Sequence, residues 1–283
     1  MSPARTPQPD WLQVQRGNAA LILSLPHSGT GIPADIGAHL QSQWLARKDT
    51  DWWVHELYDF AAELGATVLR TTLSRTVIDV NRDPSGASLY PGQPVTEMCP
   101  TTTFDGEALY FESEEPDAAE VERRRRLYFD PYHSALRAEI ARLRSRHARV
   151  VVYDAHAIRS RVPRLFDDEL PHLNLGTNSG HSCAAELASA VAQVCATKHF
   201  LMVRDGRFKG GHITRHYGQP AQGVHALQME LACRGYMREP AASYHASNWP
   251  TAYQQAFAAP LKNLLREVLR ACLTFTHPLE SSR

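Results

Sequence analysis

Ala19–Leu25 reads AALILSL and runs straight into Pro26-His27-Ser28-Gly29; Arg149–Ala155 reads RVVVYDA and runs straight into His156. Short, continuous apolar runs of this kind belong to strands covered on both faces, where alternation with polar residues is not needed. The proline and glycine after the first run stop the strand and delay any helix. A histidine therefore stands at the end of each of two buried strands. In open α/β sheets ligands collect in the crevice beyond the carboxyl ends of the strands. His27 and His156 are on these grounds the first candidate site.

Working outward, Asp51–Leu64 (DWWVHELYDFAAEL) reads as a helix, with Asp51 capping its start and Gly65 ending it. Pro33–Ala46 is a weaker helix. Ala66–Thr71 and Thr76–Val80 are β-branched and predict strands. Asp83–Asp105, with Pro91-Gly92-Gln93-Pro94 inside it, predicts a long ordered loop. Pro116–His147 predicts a helix that Pro131 kinks or interrupts. A loop follows His156 as far as Gly180. His181–Thr197 predicts a helix, Phe200–Arg204 a strand, Gly206–Gly218 a glycine-rich loop resembling a lid, Gly223–Leu231 a strand and Ser247–Thr274 a closing helix. This alternation predicts one α/β domain over residues 19–283, with a mixed, largely parallel sheet flanked by helices. Residues 1–18 read as a loose leader.

Composition narrows the function classes. Of 283 residues 43% are hydrophobic and 21% charged, which excludes wholesale disorder and fibrous repeats. Thirty basic residues balance thirty acidic ones, so no global field holds nucleic acid or an anionic membrane. The run Arg123–Arg126 spreads around a helix among Glu120 and Glu122 and reads as a solvated face. No apolar stretch approaches the roughly 18 residues of a membrane span, and MSPARTPQPDW has no apolar core of a secretory signal. Five widely spaced cysteines with no CxxC predict a reduced, cytoplasmic chain. Gly176–Cys183 is neither a nucleophile elbow nor a phosphate-binding loop.

Fourteen histidines raise the expectation of metal or acid-base chemistry. Two imidazoles at matching strand ends suit one zinc ion, which needs a third protein ligand and an open position. Asp49 and Asp51, in Lys48-Asp49-Thr50-Asp51-Trp52, are the nearest carboxylates; one caps the helix, and Asp51 is preferred as the ligand. Glu230 lies on the Gly223–Leu231 strand, where a buried carboxylate is costly unless paired or used, and can act as a base. In Ser74–Arg82, the residues Arg75, Asp79 and Asn81 share one parity and Arg82 follows. Guanidinium forks of this kind bind carboxylates. His212 and Arg215 offer further donors from the glycine-rich loop.

Ser24-Leu25-Pro26-His27-Ser28-Gly29, Asp49-Thr50-Asp51-Trp52, Ser74-Arg75 with Asp79-Val80-Asn81-Arg82, Leu89-Tyr90-Pro91-Gly92-Gln93, Cys99–Gly106, Tyr153-Asp154-Ala155-His156 and Ala226–Glu230 together closely resemble the N-formylglutamate deformylase (amidohydrolase) family. The likeness covers about residues 19–275. It implies hydrolysis of N-formyl-L-glutamate to formate and L-glutamate, late in one route of histidine degradation. It also implies a fold similar to zinc carboxypeptidases and acylamino-acid deacylases. By that likeness His27, an acidic residue and His156 hold zinc, Glu230 is the base, and Asn81-Arg82 takes a substrate carboxylate. Arg75 is the candidate for the oxyanion, and His212 or Arg215 for the second carboxylate. Those zinc enzymes carry a ligand glutamate three residues after the first histidine. Thr30 stands there in this chain, so the third ligand is expected at Asp51, with Asp49 the alternative. Cobalt, manganese or iron would also fit such a donor set. The alternatives are a zinc amidohydrolase or exopeptidase for another N-acyl amino acid, or a non-enzymatic binder of acidic amino acids.

Overall fold

The apolar runs around His27 and His156 are neighbouring strands. In the computed structural model, which describes residues 9–87, 92, 96–241 and 243–277, β2 (Leu21–Leu25) pairs in parallel with β4 (Val150–Ile158). β4 pairs in parallel with β7 (Val224–Ala232), and every residue of all three strands is buried. β3 (Thr67–Thr71) lies parallel to β2 on its other side, and β1 (Leu12–Gln15) closes that edge antiparallel to β3. Beyond β7 come β5 (Leu173–Gly176), antiparallel to β7, and β6 (Met202–Arg204), parallel to β5. Among the described residues the sheet thus has seven strands, in the order β1-β3-β2-β4-β7-β5-β6.

Both faces are covered, which is why the central strands need no polar alternation. Leu21, Leu23, Tyr153, Leu227 and Met229 pack against α5 (Ala185–Cys195) and α7 (Gln255–Thr276). Ile22, Val150, Val152 and Ala226 pack on the other side against α4 (Asp130–Arg144) and α6 (His212–Tyr217). Full burial of each such aliphatic side chain contributes roughly 1.5–3 kcal/mol. The two-residue period of a strand carries Asp154, His156, Gln228 and Glu230 onto this second face, toward the carboxyl ends. No helix among the described residues is long and apolar enough to cross a membrane. All five cysteines are free and buried.

Several expectations are corrected. The stretch read as a loose leader contains β1, which covers the β3 edge. Pro33–Ala46 keeps only one helical turn, α1 (Ala34–Gly37), and a 3-10 turn, Leu45–Arg47. The Asp51–Leu64 helix is reduced to α2 (Val54–Leu57) and a 3-10 turn, Asp59–Ala62, because Trp53 takes a left-handed φ of 60° just ahead of it. Thr76–Val80 is a turn rather than a strand, with the Val77 N–H donating to the Ser74 carbonyl at 3.0 Å. The long helix is α3 (Ala118–Arg124), capped by the Asp117 carboxylate, then a π-helical turn, Arg125–Phe129, then α4. Pro131 has no N–H to continue the α ladder, and the wider turn absorbs that loss. β5 and α6 form where loops were expected, and residues 247–254 precede the last helix rather than belonging to it. Leu89-Tyr90-Pro91 and Gln93-Pro94 lie outside the described residues.

The face under α4 carries buried histidines. His133 Nε2 donates to the Val80 carbonyl at 2.8 Å, so its Nδ1 accepts from the Tyr217 hydroxyl, also at 2.8 Å. Burial pushes the His133 imidazole down to about 3, and burial likewise pushes His55, His212 and His225 down to about 4. The unfolded chain protonates these rings below about pH 6.5 while the folded chain does not. Stability is therefore expected to fall as the pH drops from about 6.5 toward 4. Urea unfolding across that range checks this. In His133→Gln, whose amide can still donate to Val80, the slope should become shallower; an unchanged slope would show that His133 does not drive the acid loss.

Candidate active site

His27 sits two residues beyond β2, and its carbonyl accepts the Asp51 N–H at 3.0 Å. Its Nε2 lies 2.7 Å from Asp79 Oδ1. His156 lies within β4 rather than after it, with Nε2 3.0 Å from Asp154 Oδ2. A carboxylate only accepts, so the His27 proton sits on Nε2 and its Nδ1 lone pair turns inward. Nε2 of His156 also lies 2.9 Å from Asn81 Nδ2, and its Nδ1 turns inward toward Asp51. The two Nδ1 atoms are 3.1 Å apart. Asp51 Oδ2 lies 3.0 Å from Nδ1 of His156 and 3.8 Å from Nδ1 of His27. All three residues are buried.

Two ring nitrogens and a carboxylate oxygen converging on one buried point demand positive charge between them. The electrostatics say the same. Burial works against charge on His156, but Asp154 and Asp51 outweigh it and raise that imidazole well above its ordinary value. Burial and Arg75 lower His27 in spite of Asp79. A divalent cation meets this demand with the imidazoles neutral. Bonds of about 2.0–2.1 Å to a tetrahedral zinc set ligand atoms roughly 3.3 Å apart, close to the separations here. Asp79 and Asp154, each holding the outer nitrogen of an inward-facing histidine, are the orienting carboxylates such a centre uses. The residues fit the ion.

Asp51 reaches the histidines because it does not cap a helix: α2 begins only at Val54. Asp49 points elsewhere. Its Oδ2 accepts the Phe104 N–H at 2.6 Å and its Oδ1 accepts from Arg159 at 3.0 Å. Glu230 stands opposite His156 in the β4–β7 register. Burial pushes its carboxyl up to about 8, against the pull of His156 and with the help of Asp51. Gln228 Nε2 donates to Glu230 Oε2 at 3.1 Å and its Oε1 accepts the Gly211 N–H at 2.7 Å. A carboxylate held near neutrality suits proton transfer.

The turn after β3 supplies the cations. Arg75 Nη2 donates to Asp79 Oδ2 at 2.6 Å, Nη1 lies 4.0 Å from Asp51 Oδ1, and the guanidinium stacks over Phe104 at 4.7 Å. Burial alone would raise Asp79, but Arg82, His27 and Arg75 hold it well below the usual carboxylate range. Asn81 is committed to the scaffold: Nδ2 donates to Asp154 Oδ2 at 2.9 Å and Oδ1 accepts the Ile213 N–H at 2.7 Å. Arg82 is steadied by Thr96, through Nε to the carbonyl at 2.9 Å and Nη2 to Oγ1 at 2.8 Å. His27, Arg75, Asn81, Arg82, His156 and Glu230 line one cleft.

His212 and Arg215 are not in its lining. His212 is buried at the start of α6 beside His133, ring centroids 5.3 Å apart, and Arg215 Nε donates to the Gly210 carbonyl at 2.8 Å. The residues sequence reasoning passed over are Gln228, Phe104, Leu165, Arg207 and Phe208, all in the lining, and Asp154 behind it. Asp154 carried a signal: a carboxylate inside an apolar strand must be paired. The glycine-rich segment read as a lid is fastened down. A Cβ at Gly176 would lie 2.7 Å from the Gly210 nitrogen, and the His212 N–H donates to the Asn81 carbonyl at 3.1 Å.

The chain resembles known proteins over nearly its whole length. The sequence model of the N-formylglutamate amidohydrolase family matches residues 19–237. The N-formylglutamate deformylase of Pseudomonas aeruginosa is 44% identical over 265 residues, covering 93% of this chain and 96% of that one. Its namesake from Pseudomonas putida is 41% identical with the same coverage. In crystal structures, the N-formylglutamate amidohydrolase of Ralstonia eutropha superposes with a TM-score of 0.69 at 24% identity, covering 94% of this chain and 96% of that one. A gene product of Agrobacterium tumefaciens does so with 0.69 at 17%, covering 95% and 96%. At that identity the likeness is one of fold, but the family match and the identity to the two deformylases carry more. By the family match and these identities, this chain belongs to the N-formylglutamate amidohydrolase family.

Proposed function

We propose that the protein hydrolyses N-formyl-L-glutamate to formate and L-glutamate, using one divalent cation, zinc, held by His27, Asp51 and His156. The observation that carries this reading is the convergence of the two Nδ1 atoms and the Asp51 carboxylate, with Glu230 across the register from His156. The two Pseudomonas relatives named for this activity supply the substrate. The resemblance of the motifs puts the reaction late in histidine degradation. Five buried, unpaired cysteines suit a reducing, cytoplasmic setting.

When bound, such a cation supplies Lewis acidity to the formyl carbonyl and makes water more acidic. The chain's own groups do the rest. Glu230, in its carboxylate form, takes the proton of the water that attacks the formyl carbon. It returns that proton to the glutamate nitrogen as the C–N bond breaks. Arg75, fixed by Asp79 and Phe104, faces the charge that develops on the formyl oxygen. Arg82 holds a substrate carboxylate, and Asn81 keeps Asp154 and the start of α6 in place.

Glu230→Gln should lower kcat by about 10²–10⁴-fold with KM within a few-fold of wild type. Steady-state kinetics at saturating metal checks this, and near-normal turnover would remove Glu230 from the mechanism. Because the base must be ionised, activity should rise with pH along an acid limb that Glu230→Gln flattens. Dialysis against a chelator should abolish turnover, and added zinc or cobalt should restore it; full activity after chelation would contradict a metal-dependent reaction. A panel of N-formyl, N-acetyl and N-succinyl amino acids tests the substrate, with preference for any compound other than N-formylglutamate overturning it.

A further inference from the structure

Arg82 can meet one carboxylate of glutamate, and a second cation is needed for the other. We propose that Arg207 is the specificity-determining residue that receives the side-chain carboxylate of the substrate, which makes the enzyme selective for acidic N-acyl amino acids. This rests on the reading of the site just given.

In the strand order the two arginines follow strands on opposite sides of the central trio. His27, His156 and Glu230 come from the central trio β2, β4 and β7. Arg82 follows β3, on one side of that trio. Arg207 follows β6, on the far side. Both line the same cleft, and Ile158, Leu165 and Phe208 supply its apolar surface on the Arg207 side. Two cations in one cleft that also has apolar wall fit a molecule with two carboxylates joined by methylenes. A single clamp would leave one carboxylate facing apolar wall, at a desolvation cost.

Arg207 is held for this task. Its Nε donates to the Leu165 carbonyl at 2.8 Å and its guanidinium lies 5.2 Å from the Phe208 ring centroid. The segment that carries it is anchored at both ends. Before it, Asp205 accepts the Thr177 N–H at 2.7 Å and the Ser179 N–H at 3.2 Å. After it, the Asn178 N–H donates to the Lys209 carbonyl at 2.6 Å and the Gly211 N–H to Gln228 at 2.7 Å. Gln228 also touches Glu230, so the arm bearing Arg207 is registered on the base itself. Arg75 donates to Asp79 and sits beside Asp51, at the reacting end.

The test compares kcat/KM for N-formyl-L-glutamate and N-formyl-L-glutamine, which differ in one charge. Wild type should prefer the glutamate. In Arg207→Gln the glutamate-over-glutamine ratio should fall about 10–100-fold, the range expected for a lost charge-assisted hydrogen bond, with most of the loss in KM for the glutamate. Arg207→Glu should shift relative preference toward N-formyl-L-lysine. If Arg207→Gln does not fold by circular dichroism, Arg207→Lys carries the test: it keeps the charge, loses the fork, and should lower the ratio by a smaller factor. An unchanged ratio in a folded Arg207→Gln or Arg207→Lys overturns the assignment. Wild-type protein that turns over neither compound overturns the proposed function instead.

Discussion

Two imidazole nitrogens face each other at 3.1 Å in a buried site, each ring locked by a carboxylate on its outer nitrogen. Everything else around the cleft follows from that arrangement. Asp79 and Asp154 face the outer ring nitrogens, and a third carboxylate, Asp51, closes the donor set. Such a concentration of acid needs cations in return. Arg75 and Arg82 supply them, and they arrive on the turn that also delivers Asp79. One short segment, Ser74–Arg82, therefore both orients a histidine and balances its charge.

The sheet is what makes this geometry repeatable. β2, β4 and β7 are parallel neighbours, so their carboxyl ends open on the same side. His156 and Glu230 occupy matching places in adjacent strands, and a one-residue slip in register would turn Glu230 to the opposite face. Such a slip would also drive the buried polar groups Asp154, His156, Gln228 and Glu230 into the apolar core on that face, which opposes it. The apolar runs and the catalytic carboxylate are thus parts of one constraint.

Much of this is legible in the residues, and the failures have physical causes. The central strands read clearly because full burial on both faces leaves an unbroken apolar run. His27 and His156 could be picked out from those runs, with Asp49 and Asp51 as the nearest carboxylates. β5 has four residues inside a polar stretch and gains its identity by pairing with β7, a long-range contact that local pattern does not carry. α6 follows two glycines and is held by Asn81 from a distant turn, so its surroundings read as loop. Thr76–Val80 has strand-like residues, yet buried hydrogen bonds that the Asp79 carboxylate accepts from His27 and the Asn81 N–H override that propensity. Arg207 is invisible for a related reason: its place depends on a backbone path set by the close approach of Gly176 and Gly210.

The most direct measurement is X-ray absorption at the metal edge, with metal content per chain, on protein purified in the presence of zinc. One cation per chain is expected, bound by two imidazole nitrogens and carboxylate oxygen, with the imidazole contribution reduced in His156→Ala. A protein that holds no stoichiometric cation, or a metal environment without histidine nitrogen, would contradict the centre formed by His27, Asp51 and His156.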